Sequence, residues 1–476
     1  MTYQFLYVFA IVLLPVVSTL FIIFKNNHRG FFYTVSLAVP LINIGILLSV
    51  GVIDSPIFVP HLPFFVFSLD RFSYMITLLI NLALFLTILY SMSYLRYNFE
   101  NKKKEFYFYL YLATSASLAA GLAGNIATLF LFYMVNIPTI YPLIRLRGSK
   151  ASNKAARIYV ASTFIPGLLL IIPLTWYFSG NISLPFQEIS IQKMGITDFQ
   201  ASLLLFFLMI GFSKTCVAPF HYWLPITSCA PAPVSGLIHT VGAVQTACIG
   251  IFKIAFYIYG SEYLGKLNSN FFHTGWLIYL CGGTAVYTAY RAYKTNDLKE
   301  RFSNSTVGQL SYILSSILIG SEASFLAATI HIVTHSIAKL NLFFIAGTFS
   351  SLFNTTKASE VAKFAPHARF LVLATAICGL SIAGFPLFVG HISKDLMVTA
   401  DLQNHNYGAL TCLVIGSLLN YIYIFPIIKA GIMEKKIPNY VGKSIPLSMK
   451  LAISFSTFLI LITSYYSSWL VSWLKL

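Results

Sequence analysis

Apolar runs of roughly 20 residues recur along the whole chain, and their length fixes what the chain can become. At 1.5 Å per residue, such a run matches the ~30 Å hydrocarbon core of a bilayer. Inside lipid the backbone polar groups must bond within their own segment, so each run folds as a helix. Fourteen spans are expected, at about 4–24, 31–52, 71–95, 106–122, 124–144, 158–178, 201–223, 233–258, 273–293, 306–320, 325–350, 370–390, 407–428 and 451–473. The first run, Phe5 to Phe24, has no basic stretch before it and no small-residue cleavage site, so it is read as a retained helix and not as a signal peptide. Hydrophobic residues make up 57% of the chain and charged ones 9%, which excludes a soluble domain.

The net charge of +17 would suit a nucleic-acid binder, but its placement points to membrane topology. Loops after odd-numbered spans hold most basic residues: Lys25 and Arg29; Arg96, Lys102, Lys103 and Lys104; Arg145, Arg147, Lys150, Lys154 and Arg157. Further along come Arg291, Lys294, Lys299 and Arg301; Lys357, Lys363 and Arg369; then Lys429, Lys435, Lys436, Lys443 and Lys450. Loops after even-numbered spans are nearly free of them. The basic loops therefore face the cytoplasm or its equivalent, with both termini on the other side. Span seven alone among the odd-numbered spans has no basic loop after it.

Cys216, Cys229, Cys248, Cys281, Cys378 and Cys412 are scattered without a CxxC pair, so neither a zinc site nor a disulfide framework is indicated. The chain has no GxGxxG followed by an acid and no GxxxxGK[ST]. It is expected to bind no cofactor, no metal and no nucleic acid, and to carry out no redox chemistry itself.

Ionisable residues inside a span cost several kcal/mol unless they face water or a partner, which makes each one a candidate for function. Lys214 lies in span seven and His239 early in span eight. His331, His335 and Lys339 recur every four residues in span eleven, which lines them along one helical face at about 6 Å of rise per step. Lys394 and Asp395 follow the interrupted segment "GFPLFVGHISKD". Lys253, near the end of span eight, is expected to snorkel to the interface. Histidine titrates near neutral pH and a desolvated lysine can approach it, so such a stripe suits proton movement. Two spans also carry breakers: Pro219 follows Lys214 in span seven, and Gly384, Pro386 and Gly390 precede Lys394 in span twelve. Interrupted helices at corresponding places of two halves mark transport sites. The two lie five spans apart, which fits two five-span units of opposite orientation.

These stretches resemble the antiporter-like membrane subunits of respiratory complex I and of multisubunit cation/proton antiporters. "KTCVAPFHYWLPITSCAPAPVSGLIHT" is similar to the family's lysine, PxHxWLP and APTPVSALLH run. "LDRFSYMITLLINLALFLTILYSMSYL", "NDLKERFSNSTVGQLSYIL", "HIVTHSIAKLNLFF" and "LSIAGFPLFVGHISKD" resemble further family segments in the same order. The resemblance implies an all-α polytopic fold of about 14 transmembrane helices, with two inverted five-helix repeats broken at spans 7 and 12. Residues 1–105 would form the first three helices, 106–260 and 261–430 the two units, and 431–476 a loop and a last helix. Lys214, His239, His331, His335, Lys339, Lys394 and Asp395 would be the proton pathway. The lysine at 394 followed by Asp395, with an uncharged Gln245, looks closest to the fifth-subunit branch of complex I.

On this resemblance the chain is a proton- or cation-translocating subunit of an NADH-quinone oxidoreductase-like complex, in a bacterial inner membrane or an organellar one. NADH, flavin, iron–sulfur clusters and quinone would belong to partner subunits. The alternatives are a subunit of a multisubunit cation/proton antiporter, or a non-conducting scaffold in a complex such as one for inorganic-carbon uptake. Some positions depart from the family pattern. The usual fifth-span glutamate falls on Met134, and no acid stands between Glu105 and Glu188, so Lys214 lacks its expected carboxylate. "SCAPAP" lacks the family's acids, and the sequence ends at Leu476, short of the branch's long lateral helix.

Overall fold

The computed structural model describes residues 2–24, 29–170, 173–174, 178, 181–432 and 444–475. Lys25, Lys435, Lys436 and Lys443 of the basic loops, and part of span six, lie outside them. The described chain is mostly helix. Helices α1 (Thr2–Phe24) and α2 (Arg29–Val50) lead into a short antiparallel hairpin, β1 (Ile53–Phe58) and β2 (Val66–Leu69). Then follow α3 (Arg71–Asn98), α4 (Lys103–Gly121), α5 (Ile126–Arg145), α6 (Lys150–Leu169) and α7 (Asp198–Gly211). The second part holds α8 (Ala232–Tyr259), α9 (Trp276–Lys294), α10 (Leu298–Ile319), α11 (Glu322–Leu352), α12 (Val361–Ala383) and α13 (Val389–Gln403). Helices α14 (Tyr407–Ile432), α15 (Leu447–Tyr465) and α16 (Ser467–Leu474) complete it.

Side-chain caps set several of the starts. Asp70, Asn125, Ser149, Asp297 and Ser321 each accept a backbone N–H from three residues on, which opens α3, α5, α6, α10 and α11. Thr197 and Gln200 form a reciprocal capping box at α7. Among the described residues, seven helical segments are long and apolar enough to cross a membrane: Phe32–Val50, Arg71–Asn98, Ile126–Arg145, Ala232–Tyr259, Glu322–Leu352, Tyr407–Ala430 and Leu447–Tyr465.

The core runs around α11, whose 31 residues span ~46 Å. Helices α3, α8, α10, α12, α13 and α15 all pack on it. The most apolar stretch of α11 is buried throughout, so its His331, His335 and Lys339 stand far from lipid.

Two expected spans differ from single helices. Span seven is helical only to Gly211, before Lys214, and not up to Pro219. Ser213–Thr215 make a tight 3-10 turn and Cys216 takes a left-handed φ of 62°. Span twelve divides into α12 and α13 around a turn at 384–388. Gly384 there has φ 93°, open to glycine at no steric cost, and a Cβ on Gly390 would fall 1.8 Å from the Ser381 carbonyl oxygen. The two half-helices therefore meet backbone to backbone.

Two of the basic residues assigned to loops are buried. Lys299 and Arg301 lie in the first turn of α10, buried. Lys299 Nζ donates to Ala230 O, and Arg301 Nη1 donates to Tyr423 O at 2.8 Å. Polar main-chain acceptors inside the bundle draw them inward.

Candidate functional site

The first break presents Lys214. With the helix ended at Gly211, the side chain turns toward α5 and is fully buried. Its Nζ donates to Asn136 Oδ1 at 2.9 Å and to Tyr133 O at 3.2 Å, and lies 4.3 Å from the Tyr133 ring centroid. Asn136 Nδ2 donates to Ser117 Oγ at 3.0 Å and Ala113 O at 3.2 Å. Ser117 Oγ in turn reaches Gly242 O at 3.1 Å. Met134, where the family glutamate would fall, is half-buried, and its sulfur would stand 2.7 Å from a Cβ on Gly167 of α6. The acceptor for Lys214 is thus an amide two residues along the same helix.

Gly242 ends a π-helical turn, Ile238–Gly242, within α8. Such turns are frequent at functional sites because they loosen the regular backbone ladder. His239 sits on it, fully buried, with Nε2 3.2 Å from Ser303 Oγ and Nδ1 without a partner. Its ring stacks on Phe343 of α11 at 4.4 Å between centroids. Gln245 Nε2 donates to Ser336 Oγ of α11 at 3.1 Å, beside His335.

The α11 stripe follows. Lys339 Nζ donates to Phe302 O at 3.1 Å and to Ser305 Oγ, which is bonded to the Tyr423 hydroxyl of α14. His331 Nδ1 is 2.9 Å from Ser393 Oγ of α13, and Nε2 is 3.0 Å from Gln309 Oε1 of α10. Between them, both ring nitrogens of His335 are buried with no hydrogen-bond partner in the protein.

At the second break, Lys394 Nζ donates to Ala383 O, the last residue of α12, and to Ser417 Oγ of α14, both at 2.9 Å. Ser417 and Tyr423 lie on the buried side of α14 with Asn420 between them. That helix therefore joins the surroundings of Lys339 to those of Lys394. Asp395 is exposed on the outward side of α13 and does not join the line. Pro219, Pro386 and the glycines act on the backbone alone.

Lys253 is not at the interface. It is fully buried, and its ammonium donates to Ala123 O at 2.6 Å, Gly121 O at 2.8 Å, Ser73 Oγ at 2.9 Å and Ser68 Oγ at 3.4 Å. Four acceptors gathered from the hairpin, α3 and the α4–α5 turn hold it in, where the expectation had it reaching for water. Ser303, Ser305, Gln309, Ser417 and Tyr423 were also unmarked in the sequence. Ser305, Gln309 and Tyr312 follow the same i, i+4, i+7 spacing as a helix face, and that periodicity inside a quoted motif was the available signal.

Among the described residues, no ion pair involves these buried lysines. The ion pairs present are peripheral, such as Lys266–Asp198 at 2.8 Å, whose lysine and tyrosine partners hold the Asp198 carboxyl below its usual range. Among the described residues no group of three or more His, Cys, Asp and Glu suits a metal.

A helical membrane bundle with two interrupted helices and buried basic groups strung between them defines an antiporter-like membrane subunit. The chain belongs to the family described as NADH:quinone oxidoreductase/Mrp antiporter, TM, whose model matches residues 123–420. It is 28% identical over 475 residues to Na(+)/H(+) antiporter subunit A1 of Staphylococcus haemolyticus, covering 91% of this chain and 57% of that protein. It is 24% identical to NADH-quinone oxidoreductase subunit N of Desulforudis audaxviator, covering 73% of this chain and 68% of that one. The chain thus spans little more than half the length of its antiporter relative. In fold it is similar to a chain of the Mrp complex from Dietzia, with TM-score 0.81, 15% identity and coverage of 100% and 97%. A chain of respiratory complex I from Thermus thermophilus matches with TM-score 0.83, 17% identity and coverage of 98% and 97%.

Proposed function

We propose that this chain moves protons across the membrane as one subunit of a larger complex. One observation carries this: each of five buried basic groups bonds polar side chains of a neighbouring helix, Lys214 to Asn136 and on to Ser117, His239 to Ser303, Lys339 to Ser305 and on to Tyr423, His331 to Gln309 and Ser393, and Lys394 to Ser417. The hydroxyls both donate and accept, so they can pass a proton on by rotating, while the amides hold the ammonium and imidazole groups in place and bridging waters complete the line between the pairs. His335, with two idle ring nitrogens midway along α11, suits bridging waters, which fill buried polar gaps of this kind. Lysine and histidine favour protons over sodium ions, which prefer carboxylate and carbonyl oxygens.

Entry fits a cavity of about 470 Å³ lined by His221, Tyr222, Arg291, Glu300 and Asn304. Asn304 lies on α10, the helix whose Ser303 touches His239 and whose Ser305 touches Lys339. The basic residues Arg291 and Lys294 beside this cavity support a cytoplasmic position for it. The two breaks and their lysines support two inverted units, residues 106–260 and 261–430, within a fourteen-span bundle in the cell membrane. NADH, flavin, iron–sulfur and quinone chemistry would then belong to partner subunits.

A second reading is a subunit of a sodium/proton antiporter without redox partners. It is favoured by the likeness to antiporter subunit A1 across 91% of this chain. Isolating the intact complex from its membrane and identifying its subunits separates the two. Flavin- or iron–sulfur-carrying partners support the redox-driven reading, and small membrane subunits alone support the antiporter. Recovery of the chain as a lone, non-conducting protein contradicts both.

A further inference from the structure

We propose that Asp401 is the last proton acceptor of this path at the lysine-poor face, parted from Lys394 by a dry plug around Met397. The proposal rests on the proton-conducting function above. Lys394, Met397 and Asp401 stand at i, i+3 and i+7 on α13 and so share one face, about 10 Å of rise from first to last. All three are buried, at 6%, 3% and 3% exposure, whereas the neighbouring Asp395 faces outward.

Met397 belongs to a small apolar cluster separate from the main core, with Ala285 of α9, Tyr312 of α10, Ala327 of α11 and Leu413 of α14. Lys394 Nζ lies 5.5 Å from the Tyr312 ring centroid, so the plug begins at the ammonium. The titratable groups about the plug are Lys394, Tyr312 and Cys412 of α14, with His331 a turn further in, held by Ser393.

Beyond the plug, Asp401 Oδ1 is buried with no hydrogen-bond partner. Its carbonyl accepts Asn406 N at 2.8 Å, and the exposed His405 lies in that same turn, so one turn separates Asp401 from water. A carboxylate in the last turn of a helix opposes the helix dipole. A buried carboxylate oxygen with no donor costs stability, which packing alone does not repay. An exchangeable proton, taken from Lys394 through transient wetting of the plug and released at the turn, accounts for both its burial and its idle oxygen.

The test uses the intact complex in sealed vesicles. Asp401→Asn is expected to lower driven proton flux about a hundredfold, as removal of a proton-transfer group does, with complex content and Tm unchanged. Asp401→Glu restores most of it, which a merely structural role would not. Met397→Ser, which wets the plug, raises the undriven proton leak. In the unsubstituted complex, the O–H of the protonated carboxyl adds across a C=N bond of dicyclohexylcarbodiimide, the O-acylisourea rearranges, and the resulting N-acylurea is sought at Asp401 by mass spectrometry. Normal flux in Asp401→Asn alongside a dead Lys394→Ala overturns this inference and leaves the proposed function standing. Normal flux in both overturns the function itself. If Asp401→Asn fails to assemble, labelling decides: modification of Asp401 with loss of flux supports the proposal, and its absence overturns it.

Discussion

Lys214 Nζ donates to Asn136 Oδ1 over 2.9 Å, and Asn136 passes the contact on to Ser117 of α4. An uncharged amide therefore stands where a carboxylate would be expected to pair with this lysine. Buried charges are costly unless paired or well hydrogen-bonded, so the amide, the Tyr133 carbonyl and the Tyr133 ring share that task.

Replacing Asn136 by alanine leaves Lys214 with one backbone acceptor and breaks the link to Ser117. A loss of about 1.5–3 kcal/mol in stability is expected, as for a hydrogen bond to a charged group, together with reduced proton flux. Asn136→Asp keeps the shape and places a charge opposite the lysine, so the fold holds and the pH profile of flux moves. Met134→Glu sets a carboxylate against Gly167, lowers Tm and fails to raise flux. Thermal melts and vesicle flux on the three variants check this.

Lys253 is predicted to be a structural rivet and not a relay. Lys253→Met leaves four acceptors of the hairpin, α3 and the α4–α5 turn without their donor. Leaving these buried acceptors without their donor costs about 1–3 kcal/mol. Denaturant unfolding reads that loss, and flux per assembled complex stays as in the unsubstituted protein.

Gly390→Ala drives a methyl group into the Ser381 carbonyl and forces the half-helices apart. Since Lys394 bonds the end of α12, that separation breaks its contact to Ala383 O. Greatly reduced assembly is expected, measured as complex recovered per membrane protein. Gly384→Ala, strained by its φ of 93°, costs about 1–2 kcal/mol and assembles.

The helices and their polar stripe were legible because hydropathy and the four-residue spacing of His331, His335 and Lys339 act locally along one segment. The break at span twelve was legible for the same reason, since glycine and proline carry their own backbone preferences. Partners were not. Lys253 and Lys299 looked like interfacial charges because their acceptors, carbonyls at Gly121, Ala123 and Ala230, are invisible as side chains. Asp395 drew attention by adjacency to Lys394, yet consecutive helical residues point to different faces, and Asp401 at i+7 is the buried acid. Met134 marked a missing glutamate, while its replacement at Asn136 needed the geometry of the Gly211 helix end.

Lys339 donates to Phe302 O and to Ser305, which meets Tyr423, and it stands one turn along α11 from His335. The most direct test is the initial rate of proton movement into vesicles holding the intact complex, with Lys339→Ala compared against the unsubstituted chain at equal complex content. The account predicts a fall of about a hundredfold, as for removal of a proton-transfer group. An unchanged rate, with Lys214→Ala and Lys394→Ala equally silent, would contradict it and leave this chain a scaffold.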